Sequence, residues 1–150
     1  MLPALHSIPA MSEQAIAKVR ALESKMLELQ QTPVCTFHLM HAGVYTRTVM
    51  LPAGMLLTGV LIKIATVLIV CGRATVYIGD VPLELDGYNV LPANAGRKQA
   101  ILAHGDVHMT MLFASRSVDI EAAEKEFTDE YEQLASHRAE ASNRTVITGE

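Results

Sequence analysis

The most apolar stretch of the chain is LLTGVLIKIATVLIVCG, residues 56–72, with one charge, Lys63, near its middle. Thr58, Gly59, Lys63 and Thr66 interrupt it and Gly72 closes it. It therefore falls short of the roughly 18 unbroken apolar residues of a membrane span. Val60, Ile62, Ile64, Thr66, Val67, Ile69 and Val70 are β-branched, which favours strand over helix. The run is predicted to form two buried strands with a break near KIAT. Around it, from Cys35 to Ser115, short apolar stretches alternate with the turn signals HAG, PAG, CGR, IGD, LDG, NAG and HGD. That rhythm predicts an all-β sandwich or barrel over 35–115. In VHMTMLFA, alternation places Val107, Met109, Met111 and Phe113 on one face and His108, Thr110 and Leu112 on the other.

Helical patterns flank this β region. In residues 12–31, Ser12 caps, Glu13 lies in the first turn and Pro33 ends the segment. Ile16, Val19, Leu22, Met26 and Leu29 recur there at spacings of three and four, giving one apolar stripe. The stripe either lies on its own domain or pairs with a copy of itself; it is expected to contribute to the contact of a homo-oligomer. In residues 117–139, Ser117 or Asp119 caps a second helix, with Ile120, Phe127, Tyr131 and Leu134 along one side. Glu121, Glu124, Glu126, Asp129, Glu130 and Glu132 are expected on a solvated face. Residues 1–11 read as a flexible N-terminus, and Met11 stands as an alternative start. Residues 140–150 lack periodicity and read as a tail that is flexible or pairs with a neighbour. MLPALHSIPAM has no basic start and carries two prolines, so it reads as neither signal peptide nor anchor.

Composition narrows the function classes. The 150 residues suit one domain with a real core. Twelve basic against sixteen acidic residues give a net charge of −4, without the basic footprint of nucleic-acid binding. Charged residues make up 19%, below the usual ~25%, which hints at surface covered by a partner. Cys35 and Cys71 lack metal-type spacing and are expected to be buried free thiols of a reducing compartment. Asn143-Arg144-Thr145 fits a glycosylation acceptor, which without a signal peptide is taken as chance.

The segments GVYTRTVMLPAGMLLTG, VLIVCGRATV and LDGYNVLPANAGRKQAILAHGDVHMTMLFA resemble the small cupin-like proteins of tailed phages and prophages. The resemblance covers roughly residues 35–115. It implies a cupin-like jelly-roll barrel, usually oligomeric and often holding a metal; with the two helical patterns beside it, the expected fold is mainly β, a barrel flanked by an N-terminal and a C-terminal α-helix. The ligand pattern departs from the family's. Counted from Gly54, the two histidine positions hold Val60 and Ile62, and the glutamate region holds Ala65 and Thr66. The second pattern matches Gly87, Pro92 and Gly96 loosely, and its histidine position becomes Gln99. Valine and isoleucine supply no imidazole, thiolate or carboxylate, so no metal and no other cofactor is expected.

Six histidines remain to be placed. His38 and His41 flank the first β turn and His104 and His108 the last; if those ends met, four imidazoles could converge on a metal. The preferred reading makes His41 and His104 exposed turn residues, and His38 and His108 strand residues with satisfied hydrogen bonds. Lys63 is read as reaching the barrel rim, with a buried functional amine as the alternative. No catalytic constellation emerges. The leading expectation is a non-enzymatic, oligomeric virion structural or adaptor component, in the virion or host cytoplasm, contacting other copies and other virion proteins. The alternative is a small-molecule-binding cupin without metal, with Tyr45, Arg47, Gln99 and His108 as polar contacts. A metal-dependent cupin enzyme with replacement ligands ranks last.

Overall fold

The computed structural model describes residues 6–148. After α1 (Glu13–Met26) come nine strands: β1 (Cys35–His41), β2 (Val44–Leu51), β3 (Leu56–Thr58), β4 (Thr66–Cys71), β5 (Ala74–Tyr77), β6 (Leu83–Leu85), β7 (Tyr88–Ala93), β8 (Ala100–Ala103) and β9 (Val107–Ala114). Then follow α2 (Ile120–Phe127), two 3₁₀ turns at Tyr131–Gln133 and Ala135–His137, and β10 (Ser142–Ile147). Period-two alternation organises the strands: β1 and β2 bury every second side chain. Ala42 and Gly43 join them with positive φ at both positions, 53° and 71°. That left-handed pair matches the twist of a two-residue hairpin.

The antiparallel pairs are nested: β2 with β9, β3 with β8, β4 with β7 and β5 with β6. Such nesting is the connectivity of a jelly roll. One sheet runs β10-β1-β2-β9-β4-β7, and the other runs β3-β8-β5-β6. The fold is therefore mainly β, a jelly-roll barrel with helices at both ends. The inner face of β2 (Tyr45, Arg47, Val49, Leu51) stands opposite Phe113, Met111, Met109 and Val107 of β9. This agrees with the alternation in VHMTMLFA. The apolar run at 56–72 supplies β3 and β4, as expected, but the break between them is wider than KIAT. Residues 59–65 form a loop tied by an isolated bridge between Ile62 and Arg97.

Four segment boundaries differ from the sequence expectation. α1 stops at Met26 rather than near residue 31, because the Gln31 side chain donates to the Met26 and Leu29 carbonyls and satisfies the helix end. The second helix is α2 alone. Thr128 turns extended (φ −152°, ψ 146°) and its hydroxyl donates to the Leu61 carbonyl, pulling the following chain onto the barrel. The tail pairs in parallel with β1 of its own chain through β10; residues 149–150 lie outside the described residues. Of the expected flexible stretch 1–11, residues 1–5 lie outside the described residues and the remainder is held. Ile8 is fully buried, its N–H donates to Pro92 O at 2.9 Å, and its carbonyl accepts from Asn94 N at 2.8 Å.

No described helix is long and apolar enough to cross a membrane. Burying a residue such as Ile8 stabilises by about 1.5–3 kcal/mol, and emptying its site costs more. Ile8→Ala is therefore expected to destabilise by about 2–5 kcal/mol in urea unfolding. An unchanged unfolding midpoint would show that this segment is not part of the core.

Candidate functional site: the barrel interior

Between the sheets lies a cavity of about 90 Å³. Val49, Leu57, Leu68 and Ile101 contribute to its apolar wall, and Phe127, Leu134 and Ala135 close one side. α2 and the turns after it thus act as a cover over the barrel. Val60, Ile62 and Gln99, three of the four positions where cupin ligands would be sought, border this cavity. The fourth, Thr66, is buried, and its hydroxyl accepts from Arg97 Nη2 at 2.7 Å. The comb of positions read from the sequence therefore does converge in space.

The polar side chains that border it are two guanidinium groups, Arg47 and Arg97, with Thr58, Gln99 and Gln133. No imidazole, carboxylate or thiolate lines the cavity, and two cationic side chains repel a cation. These residues do not fit the divalent metal that a cupin-type barrel implies. Among the described residues, no three of His, Cys, Asp and Glu gather in a metal-binding group.

Arg47 is nearly buried, and Glu124 of α2 meets it, Oε2 accepting from Nη1 at 3.3 Å. Its Nη2 donates to Ser136 Oγ at 2.8 Å, and the other Glu124 oxygen faces His137 Nε2 at 2.8 Å. Glu124 is 2% exposed, so it is not part of the solvated face expected for this segment. Other acids from that set are also tethers. Glu126 accepts from Ser115 and Ser117, Glu130 accepts from the Leu61 N–H and pairs with Arg20, and Asp129 pairs with Lys63 at 2.6 Å. Lys63 keeps 41% of its side chain exposed, as a rim residue should.

Beside Arg47 in the β1–β2 register stands His38, buried. Asn143 Nδ2 donates to the Ser136 carbonyl, which turns Asn143 Oδ1 toward His38 Nε2 at 2.8 Å. An amide oxygen only accepts, so Nε2 carries the proton and Nδ1 accepts from the Tyr45 hydroxyl at 2.8 Å. Burial pulls the His38 pKa below its ordinary 6.5, and burial likewise raises the Tyr45 phenol. Tyr45 also packs in an aromatic cluster with Phe113 and Phe127, at centroid distances of 5.5 and 6.4 Å.

Of the expected pocket contacts, Arg47 and Gln99 line the cavity, while Tyr45 is buried outside its lining against His38. His108 is a correction: it is exposed on the outer sheet face, one residue out of phase with Met109. His41 bonds Thr148 and His104 bonds Thr75, so the four histidines do not converge. Cys71 is exposed and Cys35 only half-buried, against the expectation of two buried thiols, because both occupy outward positions of their strands.

Of the α1 stripe, Val19 is buried against its own chain, Ile16, Leu22 and Met26 are half-buried, and Leu29 lies beyond the helix, exposed. α1 is held to the barrel by Glu23, whose carboxylate accepts from Lys98 Nζ at 3.0 Å and Thr58 Oγ1 at 3.2 Å. Arg97, Lys98, Glu124 and Asn143 were missed by the sequence reading. Only Glu124 had a usable signal: with Ile120 and Phe127 it falls at helical spacing on the apolar side.

No family model matches the chain, and no curated protein matches it. Solved structures similar to it include cupin superfamily proteins. One is from Desulfitobacterium hafniense DCB-2, at 17% identity and TM-score 0.46, covering 75% of this chain and 99% of its own. An ectoine synthase from P. lautus aligns at 16% identity and TM-score 0.45 over 57% of this chain and 67% of its own. A protein with a double-stranded β-helix domain from Klebsiella pneumoniae aligns at 10% identity and TM-score 0.47, over 63% and 83%. Identities and superpositions this low carry no activity across; the strand pairing itself defines the architecture.

The lowered His38 pKa has a consequence for stability. Below pH 6.5 the unfolded chain takes up a proton that the folded chain resists, so stability present above that pH is lost as pH falls through the folded value. Urea unfolding is expected to show this loss as pH falls below 6.5, and His38→Phe to abolish that part of the slope. Glu130 acts in a lower window: burial raises it, but the Leu61 N–H and Arg20 hold it below 4.5. A slope setting in just below pH 6.5 that survives in His38→Phe would contradict the assignment.

Proposed function

We propose that this protein is a non-enzymatic jelly-roll component that works by assembling with copies of itself. On the phage-type resemblance of its β segments, we infer a structural or adaptor role in a virion. The interior supports the non-enzymatic reading: ligand pockets usually run to about 300–1,000 Å³, and this barrel keeps a cavity of about 90 Å³ under a cover of α2.

The observation that carries the assembly reading is the outer face of the six-stranded sheet. Strand register places three rows across it: Ser142, Cys35, Met50, His108, Cys71, Tyr88; Arg144, Phe37, Thr48, Thr110, Ile69, Val90; and Val146, Leu39, Thr46, Leu112, Val67, Pro92. These rows hold no carboxylate and no lysine, and one arginine, Arg144 on the edge strand β10, in a chain with sixteen acidic residues. Tyr88 is 69% exposed, Val90 52% and Val67 40%. A copy carrying the same net charge of −4 would be repelled at most of the surface. At this face it meets no like charge, and sheets pack face to face about 10 Å apart. The α1 stripe is a weaker candidate for the contact, since Val19 is already covered by its own barrel.

Light scattering at tens of micromolar is expected to give a dimer or larger. Val67→Glu with Val90→Glu should reduce the mass to one chain without loss of β-type circular dichroism. A monomeric parent protein would end the assembly reading. Mass spectrometry of purified particles from an infected or induced host tests the finer one: the protein is expected among the particle components, and its confinement to the cell lysate would rule out a virion role.

A further inference from the structure

One row on the outer face of the six-stranded sheet brings soft donor groups together. Met50 of β2, His108 near the start of β9 and Cys71 at the end of β4 stand in direct register, Met50 opposite His108 and His108 opposite Cys71. All three lie on the outward side of their strands; Cys71 and His108 are exposed and Met50 is half-buried. His38, His41, His104 and His137 each bond a neighbouring side chain, whereas His108 bonds none among the described residues. The Cys71 thiol beside it is free. These groups come from three strands far apart in sequence, so no cysteine or histidine spacing announces them.

Both strand pairs are antiparallel, and residues directly opposite hold their Cβ atoms about 4.5–5.5 Å apart. Metal–sulfur and metal–nitrogen bonds of about 2.3 and 2.0 Å, the values at zinc, let donor atoms about 4 Å apart share one ion. The donor set decides which ion. A thiolate and a thioether select monovalent copper, and imidazole suits it as well. Zinc requires a fourth donor, and among the described residues His, Cys, Asp and Glu supply no group of three. Charge points the same way. Strand register places no carboxylate in this row, so Cys71, deprotonated on binding, neutralises a single positive charge. A monovalent ion leaves the site neutral, whereas a divalent ion would leave it charged. Cys35, on the far side of Met50, stands three strand spacings from Cys71, about 14 Å, and does not reach the same ion.

We infer that Met50, His108 and Cys71 form a surface site for monovalent copper, with Cys71 binding as a thiolate, His108 through a ring nitrogen and Met50 through its thioether sulfur. Binding releases the Cys71 proton to solvent, and the copper stays monovalent throughout. The site shares the outer face with the assembly contact but does not require it, since all three ligands come from one chain.

Anaerobic titration of the full chain with copper(I), in competition with a chromogenic copper(I) chelator such as bicinchoninate, tests it. The reduced protein is expected to withdraw one copper per chain from the chelator, with both sulfur and nitrogen neighbours in its X-ray absorption spectrum. Because the thiol must give up its proton, the affinity should fall by about tenfold per pH unit as pH is lowered near neutrality. Cys71→Ser and His108→Ala should each lose the copper and Met50→Leu should weaken its hold, while Cys35→Ser should keep it. Circular dichroism should stay β-type in all four, since each position faces outward. Val67→Glu with Val90→Glu, which breaks the assembly contact, should still bind, so the copper site and the assembly reading fail separately. Copper left entirely with the chelator, binding that survives Cys71→Ser or His108→Ala, or a loss in Cys35→Ser equal to that in Cys71→Ser would overturn the inference.

Discussion

A guanidinium inside a barrel of hydrocarbon must find a counter-charge, and in this protein the partner of Arg47 comes from outside the barrel's own strands. Glu124 reaches it from α2 at 3.3 Å, and both side chains are almost completely withdrawn from water. Such a pair is weak evidence of added stability, because desolvation offsets most of the attraction, yet losing either partner strands a charge. Its structural effect is clear: it fixes where α2 lies. Once α2 is fixed, Phe127 joins Tyr45 and Phe113, and Leu134 and Ala135 come down over the cavity. Ser136 is positioned to hold both Arg47 and, through its carbonyl, Asn143, which in turn sets the tautomer of His38 and the place of β10. Cover, aromatic core and edge strand form one connected system.

That arrangement divides the molecule's chemistry between two faces of one sheet. The inner face carries Arg47 with its hydrogen-bond partners, and no metal-ligating set lines the cavity beside it. The outer face is nearly free of charge and suits contact with another protein surface. A single-residue register shift would exchange the two faces. The alternation that buries Tyr45, Arg47 and Val49 is the same one that exposes Val67 and Val90.

The jelly roll was legible because glycine turns and β-branched runs are local signals. Val60, Ile62 and Gln99 border one cavity because the loop at 59–65 is bridged to the segment before β8 through Ile62 and Arg97. The charges were harder. Arg97 and Lys98 are adjacent and both buried, whereas a basic pair next to a turn reads as solvent-exposed. Their partners sit far off in sequence, Glu23 for Lys98 and Thr66 for Arg97, and no local pattern announces such pairs. Ile8 and β10 were missed for a related reason. Each is a short segment without periodicity whose order comes from the edge of a sheet already formed, β7 for Ile8 and β1 for β10.

The central claim is that Glu124 closes the barrel by answering Arg47, and a double-mutant cycle on these two residues tests it most directly. Arg47→Met and Glu124→Leu should each destabilise by about 3–5 kcal/mol in urea unfolding, since each leaves a lone buried charge. The double variant, with both charges gone, should recover most of that loss, giving a coupling of several kcal/mol. Additive losses in the double variant would mean that the two side chains do not meet inside the folded protein, and that the cover over the barrel is held by something else.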